Sequence, residues 1–323
     1  VNGRVSGDVY QRLVSAGAVG FVSVEGSPLD EGVDRVPCQR SLPMIFPGDA
    51  AEVIEGLSES AEDIHKMQEK YSGRIPGANL HYKDAVELVT EGASEVCLAV
   101  EQEVTACTSR NVVARIEGTD KKDEILTITA HYDSVPEGPG AYDNMAGAAI
   151  IMELCRYFQQ YRPRRTMEFV WFGAEEKGLL GSRDYIRVHE SELGAHRFNM
   201  NVDLAGQLIG GNVLGVTGEA SVCDKLLEIA DGAGIGASVK NQIWGSDSNS
   251  FAWKGIPAMT LNRDGFGMHT RYDTIDLLSA WSLERSAILL GCIADELGNA
   301  EVFPFERKMP EKFIGELDEY MCR

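Results

Sequence analysis

Five short segments of this 323-residue chain place acids or histidines where they could act together. His131, Tyr132 and Asp133 follow an apolar, β-branched run at residues 125–130. Asp143 and Asn144 follow a glycine-containing turn. Glu175 and Glu176 follow the run 167–174, and Asp203 follows 199–202. His269 follows the run 256–262 and a glycine-containing loop. In an open α/β sheet the reactive crevice lies outside the carboxyl ends of the strands, so groups far apart in the chain can converge there.

Convergence has an electrostatic consequence. Asp143, Glu175, Glu176 and Asp203 in one crevice would repel one another by several kcal/mol at a low effective dielectric. Either some of them are protonated or cations sit among them. Two imidazoles with several carboxylates suit zinc, and a carboxylate has two oxygens with which to bridge a pair of ions. Such a pair, ~3.5–4 Å apart, clamps a carbonyl oxygen and lowers the pKa of a water. A carboxylate that is not a ligand must then take the water's proton and pass it on. Adjacent acids such as Glu175 and Glu176 can divide those roles. Each segment alone is a common structural motif; their order and placement together carry the argument.

The elements that must position these groups come in two parts. From residue 108 onward, strands feed helices. Strands are predicted at 111–116, 125–130, 165–172, 199–202, 212–216 and 256–262, with a turn at 121–124. Helices are predicted at 145–161, 179–188 and 220–232, and a closing helix at 279–297. Ala148, Ile151, Met152 and Cys155 fall at i, i+3, i+4 and i+7 of the first of these, one apolar stripe. Alternating β and α argues for a mainly parallel sheet with helices on both faces. Residues 1–104 read as a separate α+β part. Helices are predicted there at 8–16, 49–59, 61–70 and 83–90, and extended segments at 19–24, 42–46, 75–80 and 96–104. Residues 25–40 read as loop. His65 and His81 in that part have no obvious set of acidic or Cys partners at ligand spacing.

Composition excludes several classes. The chain is 44% hydrophobic and 25% charged, as globular domains are. No run of 18 apolar residues occurs, so no transmembrane helix is expected. The net charge is -20 and each part carries -10 (18 acids against 8 bases through residue 104, 32 against 22 after it). No basic block stands out, which argues against nucleic-acid or anionic-membrane partners. Seven scattered Cys with no C-x-x-C pair imply reduced, mostly buried thiols, and place the chain in the cytoplasm rather than outside the cell. The chain begins with Val and reads as starting within its first domain. Nothing in the pattern fixes an oligomeric state. His189, Glu190 and His196 do not make H-E-x-x-H, and no G-x-S-x-G elbow occurs.

The residues resemble metallopeptidase family 28, the co-catalytic di-zinc exopeptidases. The matching strings are Thr-Ser-Arg-Asn-Val at 108–112, Ala-His-Tyr-Asp-Ser at 130–134, Gly-Ala-Tyr-Asp-Asn at 140–144 and Phe-Gly-Ala-Glu-Glu at 172–176 with Gly181 and Ser182. They continue with Asn-Val-Asp at 201–203, Ser246-Asp247, and His-Thr-Arg-Tyr-Asp-Thr at 269–274. The first part is similar, more loosely, to the protease-associated domain inserted in many members. The resemblance implies a zinc exopeptidase fold at 105–323 behind a protease-associated domain at 1–104. It implies two zinc ions per chain: one on His131 and Asp203, one on Glu176 and His269, with Asp143 bridging. Glu175 would be the general base, Asp133 would orient His131 and Asp273 would do the same near His269. Two positions depart from the pattern: Met268 stands where some members have Tyr, and Ser248 where many have His. Family members usually carry catalytic-domain helices before the protease-associated domain, and the sequence shows none.

The resemblance implies an aminopeptidase acting on peptides with a free N-terminus. Three other readings share the pattern. A glutaminyl cyclase would use one zinc. A carboxypeptidase would need an Arg cluster, and only Arg263 and Arg271 offer themselves. A binding protein of this fold would have lost ligands, whereas all five ligand positions and the base are present.

Overall fold

The computed structural model describes residue 5 and residues 7–26, 75–99, 107–136 and 138–321. The elements expected at 42–46, 49–59 and 61–70, most of the loop at 25–40, His65, Cys38 and Cys322 lie outside the described residues. The chain divides into two compact units, Val1–Cys107 and Thr108–Arg323.

In the first unit, helix α1 (Gly7–Ser15) ends at Gly17, whose φ of +80° lets Ala18 N–H turn back to Leu13 O. Strand β1 (Phe21–Glu25) then pairs in parallel with β2 (Gly77–His81). Phe21 faces Gly77, and a Cβ there would lie 2.1 Å from the ring, so only glycine fits. Val5, Tyr10 and Phe21 form a small core. Helix α2 (Tyr82–Thr90) is capped by His81, whose Nδ1 accepts from Lys83 N–H at 3.1 Å. His81 therefore has a structural task. The strand expected at 96–104 is irregular as far as residue 99. Of its described residues 96, 97 and 99 are exposed and only Leu98 is half-buried, so there is little burial to hold a strand.

The second unit is built on seven strands, β3 (Val112–Ile116), β4 (Lys121–His131), β5 (Arg165–Phe172), β6 (His196–Val202), β7 (Asn212–Thr217), β8 (Ala237–Asn241) and β9 (Ala258–Arg263). Their spatial order is β3-β5-β4-β6-β9-β7-β8. The central four, β5, β4, β6 and β9, run parallel. β3 and β7 join them antiparallel, and β8 follows β7 in parallel. This is the mainly parallel mixed sheet expected. Every residue of β7 and β9 is buried, and every residue of β6 except the half-buried Arg197, as a sheet covered on both faces requires.

Three helices, α3 (Ala146–Gln160), α5 (Ala220–Gly232) and α7 (Ala280–Asn299), build the larger core over one face with Leu126, Ile128, Phe169 and Met200. On the other, α4 (Leu180–Val188), α6 (Ser248–Trp253) and α8 (Glu311–Met321) pack through Tyr185, Phe251, Phe313 and Leu317 onto Val170 and Phe172. Two expectations are corrected. Residues 121–124 begin β4 instead of forming a turn; the register against β5 jumps between Lys121 and Ile125, so the charged stretch is absorbed as an irregularity. The helix at α7 does not close the chain, because α8 follows. Of the five described cysteines, all free, Cys155 alone is buried, while Cys97 and Cys107 are exposed. Both exposed ones lie in irregular chain. No helix among the described residues is long and apolar enough to cross a membrane.

Candidate metal centre

Each of the four central parallel strands delivers one piece of the site at its carboxyl end. His131 is the last residue of β4. Glu175 and Glu176 follow β5 by three and four residues, across Gly173 and Ala174. Asp203 follows β6 directly and is held by its N–H on Leu261 O of β9, at 3.0 Å. His269 closes the loop after β9. The backbone is left-handed at Ala174 (φ +60°), Leu204 (φ +67°) and His269 (φ +59°), none of them glycine. Such residues persist only where the surrounding structure enforces them, and they cluster at functional sites.

Asp143 comes from a tight turn at Ala141–Met145, between β4 and α3. Its peptide bond to Asn144 is cis. Asp273 fixes the turn: one carboxylate oxygen accepts Tyr142 N–H at 2.5 Å and the other Asp143 N–H at 3.0 Å. Asp273 thus holds the Asp143 backbone, a correction to its expected place beside His269. Tyr142 adds a hydrogen bond from its hydroxyl to Arg263 O.

These elements bring all five expected ligand residues together. Asp143 lies between the imidazoles, with Oδ1 3.2 Å from His131 Nε2 and Oδ2 3.0 Å from His269 Nε2. Asp203 Oδ1 is 3.5 Å from His131 Nε2, and Glu176 Oε2 is 3.1 Å from His269 Nε2. Two groups of three result, His131–Asp143–Asp203 and Asp143–Glu176–His269, each with ligand atoms within 4.8 Å of one another. Asp133 does more than face His131, whose Nδ1 is 3.6 Å from its Oδ1. It also accepts the N–H groups of Glu175 (3.0 Å) and Glu176 (3.2 Å), tying the β4 and β5 loops together.

Behind the site runs a buried polar chain whose hydrogen bonds the sequence did not display. Thr129 donates to Asn201 Oδ1, Asn201 Nδ2 to Ser246 Oγ at 2.7 Å, and Ser246 to Asp203 Oδ2 at 2.6 Å. One Asp203 oxygen is thereby fixed and the other left for the cluster. Ser248 is buried at the start of α6 and bonded to Thr260 at 2.7 Å, so this departure from the family pattern is spent on packing. Met268 is half-exposed beside His269. Arg263 gives its guanidinium to Gln207 O, Leu208 O and Asn212 Oδ1, and Arg271 stacks on and bonds to Tyr272. Neither presents the Arg cluster that a substrate carboxylate would require.

The field of the site calls for positive charge. Burial opposes a charged His131, yet Asp133, Asp143 and Asp203 push its pKa well above the ordinary histidine range. Asp143 and Glu176 raise His269 to about 10. Burial would raise Asp143, but the two imidazoles draw it down to about 2. Burial lifts Glu175 well above the usual carboxylate range, with Asp203, Asp247 and Glu176 adding to it and His131 opposing. Glu176 Oε1 is buried with no hydrogen-bond partner among the described residues. An orphaned acceptor beside two imidazoles and three carboxylates is the donor set a divalent ion satisfies. Zinc fits these residues.

Residues 111–291, more than half of the chain, match peptidase family M28, and the chain belongs to that family. It is similar to aminopeptidase YwaD of Bacillus subtilis, 28% identical over 229 residues, covering 69% of this chain and 46% of that protein. Leucine aminopeptidase 2 of Trichophyton rubrum is 30% identical over 199 residues, covering 57% and 40%. Among solved structures, BSAP, a zinc aminopeptidase from Bacillus subtilis, superposes with a TM-score of 0.70 at 22% identity, over 95% of this chain and 72% of that one. At that identity the likeness shows the fold. The chain spans less than half the length of the two sequence relatives.

Proposed function

We propose that this chain is the catalytic part of a zinc-dependent aminopeptidase holding two zinc ions. One would be held by His131, Asp203 and Asp143, the other by Glu176, His269 and Asp143. The observation that carries this reading is the division of the Asp143 carboxylate between the two imidazoles. Zinc, when bound, supplies a Lewis acid that polarises a carbonyl and lowers the pKa of a water.

The chain's own residues do the remainder. Glu175 takes the proton of the attacking water and delivers it to the departing amine. Its burial keeps it basic. Asp133 holds Glu175 in place through its N–H and orients His131. The free α-amine of a peptide would be held by carboxylates of the site. The spent guanidiniums of Arg263 and Arg271 support an amine-reading site over a carboxylate-reading one. We assign residues 1–104, within the first unit, to a protease-associated domain; the parallel β1–β2 pair supports this, as do Gly-Ala-Val-Gly-Phe at 17–21, Ile75-Pro76 and Asp-Ala-Val-Glu-Leu at 84–88.

The test is a mass-spectrometric digest of a mixed peptide library by zinc-loaded protein, N-blocked peptides included, with zinc counted per chain. The reading expects stepwise loss from free N-termini only and two zinc ions. Loss from C-termini, or ammonia release from N-terminal Gln with one zinc, would replace it.

A further inference from the structure

The last helix brings an uncommitted hydroxyl to the edge of the site. Helix α8 is anchored by Phe313, Leu317 and Met321, all buried, by Trp253 Nε1 donating to Asp318 at 2.9 Å, and by Arg183 donating to Met321 O at 2.8 Å. Tyr320 is half-buried on this helix, with its side chain turned toward the loop that opens α6. That loop is Gly245, Ser246 and Asp247. Ser246 grips Asp203, as described above. Gly245 lacks a positive φ, and a Cβ placed on it would have a single neighbour within 4 Å, the Tyr320 hydroxyl at 3.5 Å. The glycine thus leaves a gap with the phenol on its far side.

Tyr320 Oη has no hydrogen bond to any described residue, although most of its ring is covered. Half-buried hydroxyls of this kind find a partner in water or ligand. Nearby, Asp247 is fully buried and neither of its carboxylate oxygens has a partner among the described residues. Burial, with the carboxylates of Glu175, Asp247 and Asp203, pushes the Tyr320 phenol up to about 12 against the pull of Arg183. The group is therefore an intact O–H donor at any working pH, within electrostatic range of the general base.

Resting on the aminopeptidase reading, we infer that Tyr320 contacts the substrate: its hydroxyl donates a hydrogen bond to the bound peptide across the gap at Gly245, and its ring sets the size of the residue accepted. The C-terminal helix becomes a wall of the substrate pocket on this assignment, and Gly245 the opening that lets the phenol reach it.

The test uses the zinc-loaded chain and three variants, Tyr320→Phe, Tyr320→Ala and Gly245→Ala. Each is measured by steady-state hydrolysis of Ala-, Leu- and Phe-p-nitroanilide and by calorimetric binding of L-leucine, with zinc content and thermal midpoint as controls. Tyr320→Phe keeps the ring and removes the donor. It should lower kcat/KM at least 10-fold, mainly through KM, and weaken leucine binding at least 5-fold, with zinc content unchanged. Tyr320→Ala should shift the Phe-to-Ala ratio of kcat/KM at least 10-fold toward Phe. Gly245→Ala should reproduce the Tyr320→Phe defect by filling the gap. An active wild type with Tyr320→Phe and Gly245→Ala both within twofold of it on every readout overturns the inference and leaves the aminopeptidase reading standing. A zinc-loaded wild type that neither binds leucine nor cleaves any anilide overturns both.

Discussion

Asp273→Asn is the change that most directly tests how the centre is held. Asp273 is buried and spends both carboxylate oxygens on backbone N–H groups, those of Tyr142 and Asp143. Asparagine keeps one acceptor and turns an NH2 toward the second N–H. One charge-assisted hydrogen bond is lost, about 1.5–3 kcal/mol, and one buried N–H is stranded, about 1–3 kcal/mol. The sum is about 2.5–6 kcal/mol. For a unit of this size a kcal/mol moves the thermal midpoint by about 2–4 °C, so the metal-free variant should melt ~5–24 °C lower. Because the turn also aims the shared carboxylate, zinc affinity should fall at both positions together. Circular-dichroism melts of metal-free and zinc-loaded protein, with zinc titrated by calorimetry, measure both effects. A variant with a wild-type melt and two wild-type zinc affinities would show that the turn holds itself and that Asp273 is incidental.

Further outcomes are expected. Glu175→Gln should lower turnover by ~10²–10⁴-fold with zinc content unchanged, since it removes the proton acceptor and no ligand; a variant with full activity would dismiss Glu175 as the base. Asp143→Asn should drop zinc per chain below one by elemental analysis, because both clusters share that carboxylate; retention of a full second ion would argue against bridging. His196 is held down to about 4 by burial, then by Arg307 and Arg115, against 6.5 in the unfolded chain. The folded state thus resists protonation. Its contribution is fully present above pH 6.5 and is lost as pH falls toward 4, about 3 kcal/mol in all. Between pH 7.5 and 4.5, the drop in urea-denaturation free energy should be about that much smaller in His196→Gln than in wild type, and equal drops would dismiss the idea.

The site was legible because its residues sit at the ends of apolar strands, where the order of segments already implies convergence. His131, Glu175, Asp203 and His269 each follow one of the four parallel strands, and periodicity finds those strands readily. What periodicity cannot supply is the tertiary partner. Nothing local shows that Asp273 reaches the turn around Asp143, since the two are 130 residues apart. The same holds for Ser246 and Asp203. Edge and terminal elements escaped for another reason. β8 is a five-residue edge strand with no buried run, and α6 is six residues long. In α8, Phe313, Leu317 and Met321 do repeat at helical spacing, and that signal could have been read. The bulged start of β4 looked like a turn because Lys121, Lys122, Asp123 and Glu124 are the residues of turns; pairing with β5 overrode that preference.

The spread of the centre across four parallel strands bears on how the protein is made. No segment of the chain contains two strands' worth of ligands, so no local hairpin or nascent helix can capture an ion early. Sheets dominated by such distant pairings order slowly, after the loop-closure entropy has been overcome. A metal ion held at this centre would therefore have only the finished sheet to bind, and its affinity would add to the stability of that state alone. During synthesis, the loop bearing His269 is among the last parts of the sheet region to emerge. Completion of the Asp143–Glu176–His269 group would thus be a late event in the making of the chain.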